Sequence, residues 1–193
     1  MSSPPVIFLD TNILLDYLEN RNKEVKNLLK KLIRLHRRGK IVLATSIFNI
    51  VELIDKEFEI SFLGWCQRKR LSPDEAYRRV RAKGDRLFLQ VAEDKRERIK
   101  SKISKFIEDN DILLLSFSSN DERGCDNVFN VVYEYKLSSQ DALIVATAVI
   151  NGVNYFLSND NELITKVDSL FNCFNLRDER QRRVFNDNVL KVL

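Results

Sequence analysis

Short apolar runs alternating with helical stretches constrain this chain more than any other feature. Val6-Ile7-Phe8-Leu9, Ile41-Val42-Leu43-Ala44, Ile112-Leu113-Leu114-Leu115-Ser116 and Asn154-Tyr155-Phe156-Leu157 read as strands, and Asn172-Cys173-Phe174-Asn175 as a weaker fifth. Such runs are short and rich in branched and aromatic residues, which suits strands buried in a sheet. Between them lie helical patterns, the clearest over Lys23–Arg38, where Val25, Leu28, Leu29, Leu32 and Leu35 recur every three or four positions. Strands separated by helices predict an α/β domain with a mostly parallel sheet covered by helices on both faces. At 193 residues the chain suits one domain, with 58–110 as a helical insertion within it. It shows no internal repeat and no low-complexity linker.

Helix boundaries are written in the capping residues. Thr45-Ser46 precedes a helix over Ile47–Ile54, Gly39 closes the helix over 23–38, and Ser72-Pro73-Asp74-Glu75 opens a charged helical stretch reaching about Glu108 with a break near Gly84. A further helix follows Ser118-Ser119-Asn120-Asp121, around 122–136. Ser138-Ser139-Gln140-Asp141 caps a helix over Ala142–Ile150, ended by Asn151-Gly152. The charged tail from Arg177 to Arg183 carries no clear pattern.

Side-chain inventory narrows the chemistry. His36 is the single histidine and sits in a basic helix end, which argues against a histidine base or a multi-histidine zinc site. Cys66, Cys125 and Cys173 are odd in number and scattered, so they read as neutral thiols, neither a zinc ribbon nor a disulfide framework. No apolar stretch reaches the ~20 residues a membrane helix needs, and Met1-Ser2-Ser3-Pro4-Pro5 lacks the features of a signal peptide, so a cytoplasmic protein is expected. Hydrolytic chemistry here must rest on carboxylates, which favour hard divalent metals.

Charge is unevenly spread. Residues 65–105 hold 14 Lys/Arg against 6 Asp/Glu, a formal +8 in a chain of +4, which leaves the remainder at −4. A basic helical arm of this kind is either a solvated face or a phosphate-attracting surface.

In open parallel sheets ligands sit beyond the carboxyl ends of the strands. Asp10 follows the first strand and Asp160 the fourth; Glu52 lies on the helix after the second, and Asp141 in the first turn of the helix leading to the fourth. Converging acids repel one another unless a cation stands between them, and Mg²⁺ or Mn²⁺ suits an all-oxygen site. Each acid also has a plainer reading. Asp10 and Asp141 make good helix caps, Asp160 belongs in a polar turn, and Thr45, Asn49, Glu52 and Lys56 have the spacing of a solvated helix face.

Taken in order, these residues resemble a known family. Asp10-Thr11-Asn12 resembles the opening of the PIN-domain (PilT N-terminus) ribonucleases. The stretch from Ser46 to Glu52 looks like their Ser-to-Glu helix, Asp141-Ala142-Leu143-Ile144 with Ala146 and Ala148 like their Asp-Ala-Leu-Ile signature, and Ser158-Asn159-Asp160 like their strand-end Thr-x-Asp with Ser in place of Thr. The resemblance covers roughly residues 5–56 and 112–175. It implies a three-layer fold with a central five-stranded parallel sheet of order 3-2-1-4-5. It also implies an Mg²⁺- or Mn²⁺-dependent ribonuclease acting mostly on single-stranded RNA through one or two ions. Carried over by position, the catalytic and metal-holding residues are Asp10, Glu52, Asp141 and Asp160, supported by Thr11, Asn12 and Ser158. Many compact members are toxins of VapBC toxin–antitoxin pairs, which implies an antitoxin partner and a homodimer; residues 58–110 are longer and more basic than those toxins carry, which leaves room for an RNA-processing role.

On this reading Asn12 holds a ligand carboxylate in place, and Arg68, Lys69, Arg70, Arg78, Arg79 and Arg81 bind RNA, with Trp65 and Tyr77 near enough to stack bases. Two other classes compete: a catalytically weak PIN-like module that recruits RNA or a partner through its basic arm, and a small phosphotransfer domain. Against the latter, the chain has no glycine-rich phosphate loop.

Overall fold

In the computed structural model, which describes residues 3–83, 91–117 and 122–191, the expected sheet is present. Five strands, β1 (Val6–Leu9), β2 (Val42–Ser46), β3 (Leu113–Leu115), β4 (Tyr155–Ser158) and β5 (Asn172–Asn175), pair in parallel in the order β3-β2-β1-β4-β5. Central β1 sets Phe8 opposite Ala44 and Phe156, and Leu9 opposite Leu157. Ser158 pairs with Asn175. The tip of β1 is therefore flanked by the tips of β2 and β4.

Helices cover both faces. Phe8, Ala44 and Phe156 point to one face, where they pack with Ala142, Val145 and Ala148 of α7 (Ser139–Ile150), Val131 of α6 (Glu122–Tyr135) and Leu163 of α8 (Asn161–Val167). Phe156 is stacked between Phe8 and Phe171, with ring centroids 5.1 and 5.4 Å away. On the other face lie α1 (Thr11–Leu18) and α2 (Lys23–Arg37), whose buried stripe is Val25, Leu28, Leu29, Leu32 and Ile33. Phe185 of α9 (Glu179–Phe185) packs against Tyr155 and Phe174 on the same side.

Local chemistry explains the boundaries. Asn22 caps α2 by accepting from the amides of Glu24 and Val25, both at 3.0 Å. Gly39, at φ +69°, ends α2: its amide and that of Lys40 return to the carbonyls of His36 and Leu35 at 2.8 and 3.0 Å. Gly152, at φ +63°, closes α7 in the same way. His36 ties the end of α2 to the start of two strands. Its Nδ1 lies 3.1 Å from the Ile41 carbonyl and its Nε2 2.8 Å from that of Asp111.

The chain divides into two compact units, Met1–Asn49 with Asn110–Leu193, and Ile50–Asp109. The first holds the sheet. The second is all helical among the described residues: the remainder of α3 (Ile47–Arg68), then α4 (Pro73–Lys83) and α5 (Glu93–Asp109). Phe62, Cys66 and Ala76 form its small core with Leu63, Leu71 and Val80, and Lys102 Nζ pairs with buried Glu57 at 2.6 Å.

Three elements differ from the sequence reading. The helix expected over 47–54 continues to Arg68: no proline interrupts it, and Phe62 and Cys66 on its second half pack into the core of the helical unit. Asp160 caps the short helix α8, and the tail folds as α9 followed by a π-helical segment, Asn186–Leu190. Both were hidden because seven-residue helices carry too little periodicity to read. The break expected near Gly84 and the stretch Ser118–Asp121 lie outside the described residues. No described helix is long and apolar enough to cross a membrane.

Phe156 is fully buried between two rings. Phe156→Ala is expected to lower stability by about 3–5 kcal/mol in urea unfolding, and a loss under ~1 kcal/mol would contradict this packing.

Candidate functional site

Asp10 sits at the tip of β1, only 5% exposed, with its amide still in the sheet, donating to the Leu157 carbonyl at 3.0 Å. The strand thus delivers its carboxylate rigidly to the carboxyl rim. Four donors meet it. Oδ1 accepts from the Thr11 amide at 2.7 Å, which caps α1, and from Asn49 Nδ2 at 3.1 Å. Oδ2 accepts from Asn12 Nδ2 at 2.7 Å and from Ser158 Oγ at 2.6 Å. An acceptor-only, ionised carboxylate suits four donors; a protonated one would bring a further O–H into the same space.

The two amides cannot turn round, since their oxygens are already engaged. Asn49 Oδ1 accepts from the Ser46 hydroxyl at 2.5 Å and from the Ser46 amide at 3.3 Å, which turns Nδ2 toward Asp10 and Thr11 Oγ1. Asn12 Oδ1 accepts from the Asn159 amide at 2.8 Å, which turns its Nδ2 toward Asp10 and Ser158. Thr45 Oγ1 donates to the Leu9 carbonyl at 2.8 Å, and Thr45 and Asn49 are both fully buried. These two do not belong to a solvated helix face: their polar atoms brace the end of β1.

Asp160 and Asp141 occupy helix N-termini at the same rim. Asp160 Oδ1 caps α8 through the amides of Glu162 and Leu163 at 2.9 and 3.0 Å, while its own amide donates to Ser158 Oγ at 3.0 Å. Ser138 caps α7, accepting from the Asp141 amide at 3.2 Å and donating its hydroxyl to Asp141 Oδ2 at 2.7 Å. The end of α7 leads into Asn154, which is bonded to both backbone polar groups of Val6 at the start of β1. Twelve residues of helix rise ~18 Å, so the first turn of α7 returns to the carboxyl rim. The cap reading of Asp10 is thus realised and Asp141 pairs with the capping Ser138, whereas Asp160, expected in a polar turn, caps α8; these contacts leave Asp141 Oδ1 and Asp160 Oδ2 without a hydrogen bond among the described residues. Glu52 lies on α3, three residues beyond Asn49, in the second compact unit.

The donor set is all-oxygen and carboxylate-based, which in kind fits a hard divalent cation. Among the described residues, no three His, Cys, Asp or Glu side chains are gathered closely enough to hold an ion as they stand.

A second network, unread in the sequence, supports the rim. Asp16 of α1 is fully buried and accepts from Arg177 Nε and Nη2 at 2.8 and 2.5 Å and from Asn159 Nδ2 at 2.9 Å. The hydrogen bond to Asp16 is the main reason the Arg177 guanidinium pKa is raised above its ordinary value; burial works against it and the Asp16 charge adds to it. Asn175 accepts from the amides of Arg177 and Asp178 and donates to Asn161 Oδ1 at 2.7 Å. Together these bonds fix Asn159, whose amide orients Asn12. No local pattern marks Asp16, Asn159 or Arg177; Asn49 carries one local signal that the helix-face reading passed over, its place three residues after the capping Ser46.

Comparison with known proteins now decides the family. The model of the PIN domain matches residues 7–170. The chain belongs to the PIN-domain family. Among solved structures, this PIN-domain chain resembles VapBC2 from Rickettsia felis bound to a DNA fragment from their promoter. The TM-score is 0.53 and the identity 14%, covering 88% of this chain and 99% of that one, a likeness of fold. No curated protein matches.

The proposed RNA-binding cations of the second unit are all exposed. Arg79 pairs with Glu75 at 2.7 Å, and Arg81 lies over the Tyr77 ring, 5.0 Å from its centroid. Trp65 stacks one face on Phe62 and is 39% exposed. Burial, reinforced by the charge of Asp168, pushes the Cys173 thiol up to about 12, so it has no thiolate at neutral pH.

Two outcomes follow from these contacts. Arg177→Ala leaves the Asp16 carboxylate buried with only Asn159, and is expected to destabilise the fold by about 2–3 kcal/mol, less than the ~3–5 of a fully buried pair; Asp16→Asn in the same chain should recover part of the loss. Iodoacetamide at pH 8 should leave Cys173 unmodified in the folded protein and modify it in denaturant, as read by mass spectrometry of its peptide.

Proposed function

We propose that this PIN-domain chain is a nuclease that hydrolyses phosphodiester bonds in mostly single-stranded RNA with one or two Mg²⁺ or Mn²⁺ ions. The observation that carries the reading is Asp10, a buried carboxylate at the tip of the central strand held by four converging hydrogen bonds. Asp10 and Asp141 would be the principal holders of the ion, with Glu52 and Asp160 completing its environment directly or through water. Bound there, the ion would activate a water and offset charge on the phosphate.

The chain's own residues supply position. Asn12, Asn49 and Ser158 hold the Asp10 carboxylate in one orientation, and Thr11 anchors it through its amide. Ser158 would make room for an ion at Asp10 by rotating its hydroxyl, which leaves the backbone in place. Arg68, Lys69, Arg70 and Arg78 would draw RNA to the helical unit, with Arg79 and Arg81 already sharing their charge with Glu75 and Tyr77. On this proposal the chain is one cytoplasmic PIN-like domain interrupted by a basic helical insertion. A toxin-like protein that pairs with a small antitoxin and with itself is one form of this reading, in keeping with the fold likeness to VapBC2, whereas the insertion favours RNA processing.

A second reading is favoured because no three acids among the described residues are gathered closely enough to hold an ion: a catalytically weak PIN-like module that binds RNA or a partner. Cleavage of a labelled single-stranded RNA with Mn²⁺, Mg²⁺ or EDTA separates the two. The nuclease reading expects metal-dependent cleavage that falls to background in Asp10→Asn and Asp141→Asn, and by about 10–100-fold in Asn12→Ala. Equal cleavage by wild type and both aspartate variants overturns it; salt-sensitive binding with no cleavage supports the module.

A further inference from the structure

The strongest basic face of the sheet-bearing unit lies on α2. Residues 23–40 hold eight Lys/Arg against one acid, Glu24. The leucine-rich stripe of α2 is buried, so Lys30, Lys31, Arg34 and Arg38 project outward and are exposed. Lys26–Lys30, Lys30–Arg34 and Arg34–Arg38 are like-charged neighbours four residues apart, an arrangement that repels. Among the described residues no acid lies within ion-pair distance of Lys30, Lys31, Arg34 or Arg38. By contrast Arg98, Lys100 and Lys102 of α5 are matched by Asp94, Glu97 and Glu57.

The helix macrodipole explains cations in the last turn, where Arg34, His36 and Arg37 lie, but not Lys30 and Lys31. A cleft of about 440 Å³ opens beside them, lined by Lys31, Arg34, Arg38 and, from the C-terminal π-helical segment and its cap, Asn186 and Lys191. Of its cations only Lys191 has an acid partner among the described residues, Asp187 at 2.8 Å.

We propose that the outer face of α2 and this cleft form a binding track for the phosphodiester backbone of RNA, outside the acidic rim. It rests on the reading of RNA as the substrate. The helix rises ~22 Å from its cap at Asn22, so its cations present a row of charge rather than one point. Such a row matches a strand with a phosphate about every 3.4 Å when stacked. Lys31, Arg34 and Arg38, exposed and without acid partners among the described residues, also match several phosphates better than a single anion. The end of α2 leads through Gly39 to the start of β2, so Arg34 and Arg38 stand at the sheet edge opposite the acids and the track lies apart from the carboxyl rim.

The test is fluorescence anisotropy of a labelled 12-nucleotide single-stranded RNA with the full chain, across a NaCl series in EDTA. Lys31→Gln/Arg34→Gln/Arg38→Gln is expected to weaken binding on the order of 100-fold at 0.1 M salt and to flatten the log–log salt slope by about 2, which is ~0.7 for each of three lost contacts. The single variants should each remove about 0.7 from the slope, so the result does not depend on the triple variant folding. Unchanged affinity and slope in all of them overturns the track. Polyglutamate of equal charge binding as tightly as the RNA, and lost in the same variants, also overturns it, in favour of an acidic protein partner. Because binding is read in EDTA, a chain that binds through α2 yet never cleaves separates failure of the nuclease reading from failure of the track.

Discussion

Everything at the carboxyl rim depends on how the Asp10 carboxylate is held. A buried anion costs several kcal/mol unless donors replace its water, and here four donors do so. They come from α1, α3 and the end of β4, so the carboxylate ties three elements to the tip of the central strand. Each donor is fixed in turn. Ser46 fixes Asn49, and Asn159 fixes Asn12. The rigidity of the site is a chain of such constraints that begins at the sheet register, which sets β2 and β4 beside β1.

A second constraint lies one turn along α1. Asp16 has no exposure, and Arg177 reaches it from beyond β5. That pair and Asn159 hold the β4–α8 loop, so the segment following β5 helps to set the geometry at the tip of β1. Charge is distributed in keeping with this division. Acids gather at helix N-termini on the carboxyl rim, where the dipole favours them, while cations without an acid partner among the described residues include Lys30, Lys31, Arg34 and Arg38 of α2.

The fold was legible because its information is local. Strand runs such as Val6–Leu9, the buried stripe of α2 and the boundary residues Gly39, Ser72 and Ser138 all follow from neighbours a few residues apart, and the observed ends lie within one or two residues of most expected ones. α8 and α9 escaped notice because one or two turns carry no measurable period. The basic face of α2 was hidden by averaging. Outside residues 65–105 the chain sums to −4, and that sum conceals eight cations on and just after one helix.

The sequence alone determined that strands and helices would alternate, that an acid would stand at the tip of the first strand, and that its neighbours would be able to cap helices. Tertiary structure decided what surrounds that acid. Asn49 is 39 residues from Asp10, and Ser158 is 148. Arg177 is 161 residues from Asp16. Hydrogen bonds over such separations depend on strand order and register, and no spacing along the chain encodes them. The physical reason is that a strand's own residues settle its face and its length, whereas the partners at its tip are whichever groups the folded sheet brings within 3 Å.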